Sequence, residues 1–194
     1  YYREAMETWE RHAAVKSRYV AGNPYVGQRF ERLLQEVSLG RGISEAENTA
    51  IQNMKRRIES ERLKPSERNS NLKLGHGGLM DTEWLTQRLQ LLHGSRLRAL
   101  RVPNTLQALT ALTGANLLDN ASTDVLTVGY LLLSRTRNAL WLTTGMSLDC
   151  LPDDAEKQRK VAELLGYADS KTLWNDLHSS MRETRRIFEQ RFHD

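Results

Sequence analysis

Apolar side chains recur at every third or fourth position through most of this chain, which is the spacing of one face of an α-helix. No segment alternates apolar and polar residues as a half-buried strand does. The pattern predicts helices over residues 1–16, 25–37, 44–62, 79–94, 103–114, 119–143 and 153–165, and from residue 170 onward. We therefore predict an all-α protein, with an up-and-down helical bundle over residues 71–194 and a helical arm over residues 1–70.

The same spacing predicts helix ends and buried faces. Ser44 and Glu47 have the form of a capping box, and Ser170 is expected to cap the last helix. The charged run at residues 55–57 is expected to be solvated. The predicted inward residues of the second helix are Phe30, Leu33, Leu34 and Val37. Those of the longest helix are Val125, Val128, Leu132, Ala139 and Leu142.

Three glycines interrupt the pattern just before the helix at residues 79–94. They are Gly75, Gly77 and Gly78. Glycine tolerates positive φ and has no side chain, so such a cluster allows a sharp turn or a close backbone approach. Asp81 and Glu83 follow in the first turns of the helix, where the helix dipole favours carboxylates. The leucines that follow share one face of the helix, and Glu83, Gln87 and Gln90 lie on the neighbouring face. This arrangement predicts an amphipathic helix.

The simplest interpretation of this glycine stretch is structural. Asp81 would then only cap the helix, Glu83 would be solvated, and the glycines would only turn the chain. The Gly-x-Gly-Gly run is weak evidence for dinucleotide binding, because that fingerprint needs a preceding strand and an acidic residue about 20 positions later. Neither is evident in this sequence.

Composition narrows the class of protein. No stretch approaches the roughly 18 apolar residues of a membrane span, and no signal peptide opens the chain. The lone cysteine, Cys150, excludes an internal disulfide and suits a reducing cytosol, so we expect a cytoplasmic protein. Neither Cys150 nor the histidines show metal-ligand spacing. The terminal pair His193-Asp194 has no partners in the sequence and is not interpreted as a metal site.

The net charge of +4 arises entirely within residues 1–78, which hold 14 Lys and Arg against 10 Asp and Glu. A basic first part could face an anionic ligand, a nucleic acid or an acidic protein surface, or be an ordinary mixed surface. Lys16 and Arg18 lie where the first predicted helix ends. They could bind phosphate oxygens or compensate the helix dipole, and the sequence leaves both interpretations open.

Several runs of residues together resemble the helical domain of the glutamine synthetase adenylyltransferase family. The most diagnostic run is Lys73-Leu74-Gly75, Gly77-Gly78-Leu79, Asp81 and Glu83-Trp84. Further matching runs are Tyr1-Tyr2 through Ala5, Thr8-Trp9-Glu10-Arg11, Lys16, Arg18, Val20-Ala21-Gly22, Met54-Lys55, Arg57-Ile58-Glu59, Glu61-Arg62, Arg137-Asn138-Ala139-Leu140, Leu151-Pro152 and Thr184-Arg185-Arg186. The resemblance covers nearly all 194 residues, and it is closest to the C-terminal, adenylylating half of actinobacterial members.

The resemblance implies a fold like that of nucleotidyltransferase substrate-binding domains and a parent enzyme that adds AMP to a tyrosine of glutamine synthetase and removes it. The parent would use ATP and Mg²⁺. Family catalysis needs Gly-Ser followed by an Asp-x-Asp pair, but Gly94-Ser95 is followed by Arg-Leu-Arg, and Asp153-Asp154 lacks the spacing. The chain is therefore expected to be inactive alone and to bind no cofactor. It opens at Tyr1 inside a helical pattern, so we also expect it to be an excised fragment.

The resemblance also implies where the fragment would contribute. Lys16 and Arg18 would approach nucleotide phosphates. The cleft and its junction with the fragment's own nucleotidyltransferase domain would be shaped by Lys73, Gly75, Gly77, Gly78, Asp81 and Glu83. His76 stands where family members more often carry arginine, proline or alanine, which argues against a phosphate role for that side chain.

Two rival functions stay open. One is a non-catalytic module that docks glutamine synthetase or the PII signalling protein and touches no nucleotide. The other is a basic helical nucleic-acid binder, but the aromatic residues are not interleaved with a basic stripe and no recognised motif appears. The related PII uridylyltransferases share the glycine run, but usually carry histidine where Glu83 stands here.

Overall fold

A computed structural model describes residues 1–192, which form eight α-helices and contain no strand. The all-α prediction is confirmed. The helices are α1 (Thr8–Ala14), α2 (Pro24–Leu39), α3 (Glu45–Arg62), α4 (Leu79–His93), α5 (Thr105–Gly114), α6 (Asn120–Thr144), α7 (Ala155–Leu164) and α8 (Ser170–Phe192). The pair His193-Asp194 lies outside the described residues.

Side-chain caps explain where two of these helices begin. The predicted capping box at the start of α3 is present: the Ser44 amide donates to Glu47 at 2.8 Å, and the Glu47 amide donates to the Ser44 hydroxyl at 3.2 Å. The predicted cap of α8 is wrong by one residue. Asp169, rather than Ser170, accepts the Thr172 amide at 2.7 Å, because Ser170 is already the first residue of the helix.

The first helix is shorter than predicted. The chain opens with a turn in which the amides of Glu4 and Ala5 donate to the Tyr1 carbonyl at 3.0 and 2.9 Å. Glu7 then adopts an extended backbone, with φ −73° and ψ 158°, and α1 begins only after it. The apolar spacing alone could not reveal this break, because an extended residue leaves the side-chain pattern unchanged.

The chain divides into two compact units. The first unit comprises Tyr1–Lys55 and Trp84–Thr123, and the second comprises Arg56–Glu83 and Asp124–Asp194. Helices α3, α4 and α6 each contribute residues to both units. The predicted boundary between residues 70 and 71 stays a prediction.

A buried arginine joins three segments of the first unit. Arg11 of α1 is only 1% exposed and donates to Glu47 of α3 at 2.6 Å. It also donates to the carbonyl oxygens of Ser38 at 2.8 Å and Gly42 at 2.5 Å. Because a buried guanidinium needs a counter-charge and acceptors, these contacts fix α1 against the end of α2 and the start of α3.

Two buried-face predictions in the first unit need correction. On α2, Leu34 is buried as predicted, but Phe30 is exposed and packs edge-on against Tyr2, 5.4 Å between ring centroids. On α3, Lys55 is buried rather than solvated. The side-chain type alone does not decide burial. The stem of a lysine or arginine is apolar, and nearby polar groups can compensate the charge at its end.

Helix α4 is buried along most of its length and is not the amphipathic helix that was predicted. Gln87 and Gln90 are both buried. The Gln90 amide donates to the carbonyl oxygens of Leu100 at 2.6 Å and Val102 at 2.8 Å. These contacts meet the hydrogen-bonding demand of the buried amide, so the polar stripe does not have to face water.

The core of the second unit is a cluster of ten buried apolar residues drawn from the chain before α4 and from α4, α6, α7 and α8. They are Leu72, Leu79, Leu133, Ala139, Leu140, Val161, Ala162, Leu173, Leu177 and Met181. On α6 the predicted inward face is only partly right: Ala139 is buried, Leu132 is half-buried and packs against this core, and Val125 is half-buried. Val128 and Leu142 are exposed, while Leu126, Gly129, Leu133, Thr136 and Leu140 are buried.

In the described part of the chain, no helix combines the length and the apolar character needed to span a bilayer.

The buried imidazole of His12 predicts a pH-dependent stability. His12 is 5% exposed, its ring centroid lies 4.3 Å from that of Trp84, and burial lowers its pKa to about 4. Between pH 6.5 and 4 the unfolded chain therefore binds a proton that the folded chain does not, so stability falls as the pH falls. We expect this group to remove about 3 kcal/mol of unfolding free energy over that window.

The measurement is urea unfolding of the native protein and of His12→Phe at several pH values from 4 to 7. The carboxylates titrate alike in both proteins, so the difference between the two profiles isolates His12. Parallel profiles would contradict the assignment.

Candidate functional site

The glycine stretch folds as a series of turns that lead into α4. We call residues 71–78 the elbow. The Asn71 side-chain oxygen accepts the amides of Lys73 at 3.1 Å and Leu74 at 2.8 Å. The Leu79 amide then donates to the Leu72 carbonyl at 2.9 Å. The apolar run at Leu72 is therefore a turn that is hydrogen-bonded within itself, and not a strand.

Gly77 brings the elbow into direct contact with α8. Its φ is +75°, and a Cβ atom at this position would lie 1.7 Å from the Met181 carbonyl oxygen. No other residue fits, because any side chain would overlap the backbone of α8. Gly75 and Gly78 also approach backbone carbonyls, where a Cβ would lie 2.4 Å from Asn71 and 2.8 Å from Lys73.

Asp81 is committed to contacts inside the second unit. Its Oδ2 accepts the Gly77 amide at 2.7 Å and lies 3.2 Å from Nη1 of Arg185. The same Nη1 lies 2.7 Å from Oε1 of Glu59 on α3. We call Glu59, Gly77, Asp81 and Arg185 the elbow cluster. It joins α3, the elbow, α4 and α8 through one guanidinium.

The charges of the elbow cluster stabilise one another. Burial opposes the charge on Arg185, but Asp81, Glu59 and Glu189 outweigh it and raise the pKa of the guanidinium. The Asp81 side chain is fully buried, so its negative charge depends on this pairing. Arg185 also lies 5.1 Å from the ring centroid of Phe188, a cation–π distance.

Glu83 contacts a second helix of the same unit. Its Oε1 accepts the Tyr130 hydroxyl of α6 at 2.9 Å. Arg137 on α6 pairs with Asp149 at 2.7 Å, and the Leu72 amide donates to the Asp149 carbonyl at 2.6 Å. The elbow is therefore connected to α6 and to the loop after it, as well as to α8.

The remaining predicted site residues are distributed between the units. Lys16 and Arg18 belong to the first unit, where Lys16 is half-buried and Arg18 is exposed. Lys73 belongs to the second unit and is exposed. His76 is half-buried; burial first, and then the charge of Arg185, lower the pKa of its imidazole. The structure brings together Gly77 and Asp81 of the predicted set, with Glu83 two residues further along α4.

The cluster is suited to holding backbone in place. The Asp81 carboxylate already has an amide donor and a guanidinium, so it could accept a substrate proton only if that pair broke. Within residues 1–192, no three His, Cys, Asp or Glu side chains lie close enough together to hold a metal ion.

Sequence reasoning missed three members of this arrangement. Glu59 and Arg185 lie in runs that carry the family resemblance, but they received no role, and Tyr130 was not noticed. Arg185 is 126 positions from Glu59 and 104 from Asp81. No local spacing connects residues so far apart, and only the burial of Asp81, had it been known, would have required a cationic partner.

Comparisons with known proteins agree with the resemblance. A family model described as GlnD PII-uridylyltransferase matches residues 49–192. The chain is also similar to the bifunctional glutamine synthetase adenylyltransferase/adenylyl-removing enzyme of Streptomyces coelicolor, with 34% identity over 197 residues that cover all of this chain and 20% of the relative.

Two further relatives carry the same name. The Mycobacterium leprae protein is 37% identical over 169 residues, covering 86% of this chain and 17% of the relative. The Bifidobacterium longum protein is 35% identical over 202 residues, covering 100% of this chain and 19% of the relative. The chain thus spans about a fifth of the length of these curated relatives.

Gly77→Ala should destabilise the protein by at least about 3 kcal/mol. Alanine would be strained at the positive φ of this position, and its Cβ would clash with the backbone of α8. Gly114→Ala is the matched control, since a Cβ there meets open space at the end of α5. We expect that control to be neutral or slightly stabilising. Urea unfolding followed by circular dichroism measures both, and equal midpoints would refute the close approach.

Arg185→Ala should cost about 3–5 kcal/mol of unfolding free energy, because it removes a cation that pairs with the buried Asp81 carboxylate at 3.2 Å. The neighbouring Arg186 is 54% exposed and contacts Glu183 and Gln190 at the surface, so Arg186→Ala should cost at most about 1 kcal/mol. Unfolding in urea compares the two variants. Similar losses for both would show that the cluster does not depend on its arginine.

Proposed function

The chain belongs to the GlnD PII-uridylyltransferase family, and from that premise we propose that it is the helical domain of an enzyme that adenylylates and deadenylylates glutamine synthetase. The observation that carries the proposal is the alignment with bifunctional adenylyltransferases, which covers the whole of this chain at 34% identity. Glu83 and the runs around it favour the C-terminal, adenylylating half of that enzyme.

In this proposal the chain supports the reaction and does not carry it out. The group transfer uses ATP and Mg²⁺ bound to the nucleotidyltransferase domain of the parent protein. That division is supported by the elbow carboxylate Asp81, which accepts the Gly77 amide and pairs with Arg185. The chain's own contribution is to hold one wall of the cleft at a fixed position.

Arg18 is the residue of this chain that we propose to contact nucleotide phosphate. It is exposed in the loop between α1 and α2, and a guanidinium can donate two parallel hydrogen bonds to phosphate oxygens. Lys16, two residues earlier and half-buried, would add a second positive charge. Phosphate groups carry the opposite charge, so both side chains would favour ATP over uncharged ligands.

The elbow cluster has a positioning role in the same proposal. Gly77 and Asp81 hold the elbow against α8, while Glu83 and Lys73 lie at its edges with side chains that are not fully buried. Lys73 and Glu83, with Gly75 and Gly78 setting the backbone, would shape the junction with the nucleotidyltransferase domain. A fixed junction matters because group transfer depends on the alignment of the reacting groups.

A second candidate function is a docking module that touches no nucleotide. The observation that favours it is that Asp81 and Glu83 both have hydrogen-bond partners within their own unit. In that case glutamine synthetase or the PII signalling protein would bind the surface of the chain. Both versions place the protein in the cytoplasm, where glutamine synthetase would be its substrate.

The test is made in the full-length parent enzyme, by measuring AMP transfer to glutamine synthetase. Arg18→Ala should raise the KM for ATP roughly tenfold, as expected for the loss of a charged hydrogen bond, and leave the KM for glutamine synthetase unchanged. Arg29→Ala is the control, because Arg29 is also an exposed arginine of the first unit and is not in the predicted site.

The alternative predicts the opposite pattern. An unchanged KM for ATP in Arg18→Ala, together with a raised KM for glutamine synthetase, would favour the docking module. AMP transfer by the 194-residue chain alone would refute the division of labour in both versions.

A further inference from the structure

A surface groove runs between α6 and α8 in the second unit. Its volume is about 400 Å³. The groove is lined by Asp124, Val125, Val128, Leu132, Asp176, Ser179, Ser180 and Glu183. It shares no residue with the elbow cluster, so it needs an explanation of its own.

The floor of the groove is a second apolar face of α6. The first face, which includes Leu126 and Leu133, is buried in the core of the unit. The second carries Val125, Val128 and Leu132. Val128 is 63% exposed, Val125 is half-buried, and Leu132 is half-buried and packs against the core cluster. A groove whose apolar floor leaves Val128 in water is typical of a surface that a partner covers.

Helices α6 and α8 cannot move together to cover this face. At Gly129 they already touch: a Cβ atom there would lie 2.7 Å from Ser180 Oγ and 2.9 Å from Thr184 Oγ1. The contact sets the separation of the two helices beside the groove. The groove is therefore a permanent feature of the packing and does not close when a side chain changes rotamer.

The rim of the groove is acidic. It carries Asp124, Asp176 and Glu183, and none of the eight lining residues is Lys or Arg. One of the three charges is partly neutralised, because Arg186 Nε donates to Glu183 at 3.0 Å. The rim remains net negative in a chain whose formal net charge is +4. Such a rim selects a positively charged partner and disfavours an acidic one.

We propose that the groove binds an amphipathic helix of a partner protein, whose apolar face packs on α6 and whose flanking lysines or arginines meet the acidic rim. The three apolar floor residues span seven positions, which is about 10 Å along a helix. That length accommodates apolar side chains at positions i, i+3 or i+4, and i+7 of the partner helix.

The test measures binding of a labelled amphipathic peptide of about 18 residues, with leucines on one face and lysines flanking them, by fluorescence anisotropy. A second peptide with glutamate in place of each lysine tests the charge. We expect the lysine peptide to bind the 194-residue chain at least about tenfold more tightly than the glutamate peptide.

Matched variants of the protein locate the site. Val128→Asn should weaken binding of the lysine peptide by about tenfold or more, because it removes an apolar contact without adding charge. Leu142→Asn should leave it unchanged, because Leu142 lies on the same helix outside the groove and is 69% exposed. The double variant Asp124→Lys, Glu183→Lys should reverse the preference toward the glutamate peptide.

Three outcomes would overturn the proposal. The first is no preference for the lysine peptide over the glutamate peptide. The second is equal weakening by Val128→Asn and Leu142→Asn, which would place the peptide outside the groove. The third is concentration-dependent dimerisation of the chain that Val128→Asn abolishes, because the groove would then be an interface between two copies.

Discussion

The second unit depends on one buried ion pair. Asp81 has no exposure to water, and its charge is stabilised by the Arg185 guanidinium and the Gly77 amide. The same guanidinium contacts Glu59, so one side chain determines how α3, the elbow and α8 meet. Gly77 permits the arrangement, since its missing side chain lets the elbow approach the backbone of α8.

This constraint changes the meaning of the glycine stretch. Glycines followed by carboxylates could equally belong to a phosphate-binding loop, a helix cap or a catalytic pair. In the structure, Asp81 accepts the Gly77 amide and pairs with Arg185, so its chemistry is used internally. The stretch therefore supports a positioning role, which fits a chain that spans about a fifth of its relatives' length. We propose that the chemistry of the parent enzyme lies in the remaining part.

Two kinds of surface remain for contact with other molecules. The first unit exposes Arg18 in the loop between α1 and α2, and a guanidinium is suited to binding phosphate. The second unit exposes an apolar face of α6 with carboxylates at its rim, a chemistry suited to a basic helix. The two surfaces differ in charge and in polarity. Separate ligands can thus be recognised without competition for the same groups.

The sequence by itself determined the helices, the capping box at Ser44, the elbow glycines and the family. These features rest on interactions within about four residues, or on runs that can be compared directly. Only the tertiary structure decided that Arg185 pairs with Asp81, which lies 104 positions earlier in the chain. The same holds for the choice of which apolar face of α6 is buried in the core. Periodicity shows that a helix has apolar faces, but the choice between Leu133 and Val128 depends on what packs against them. That information lies in segments far away along the chain.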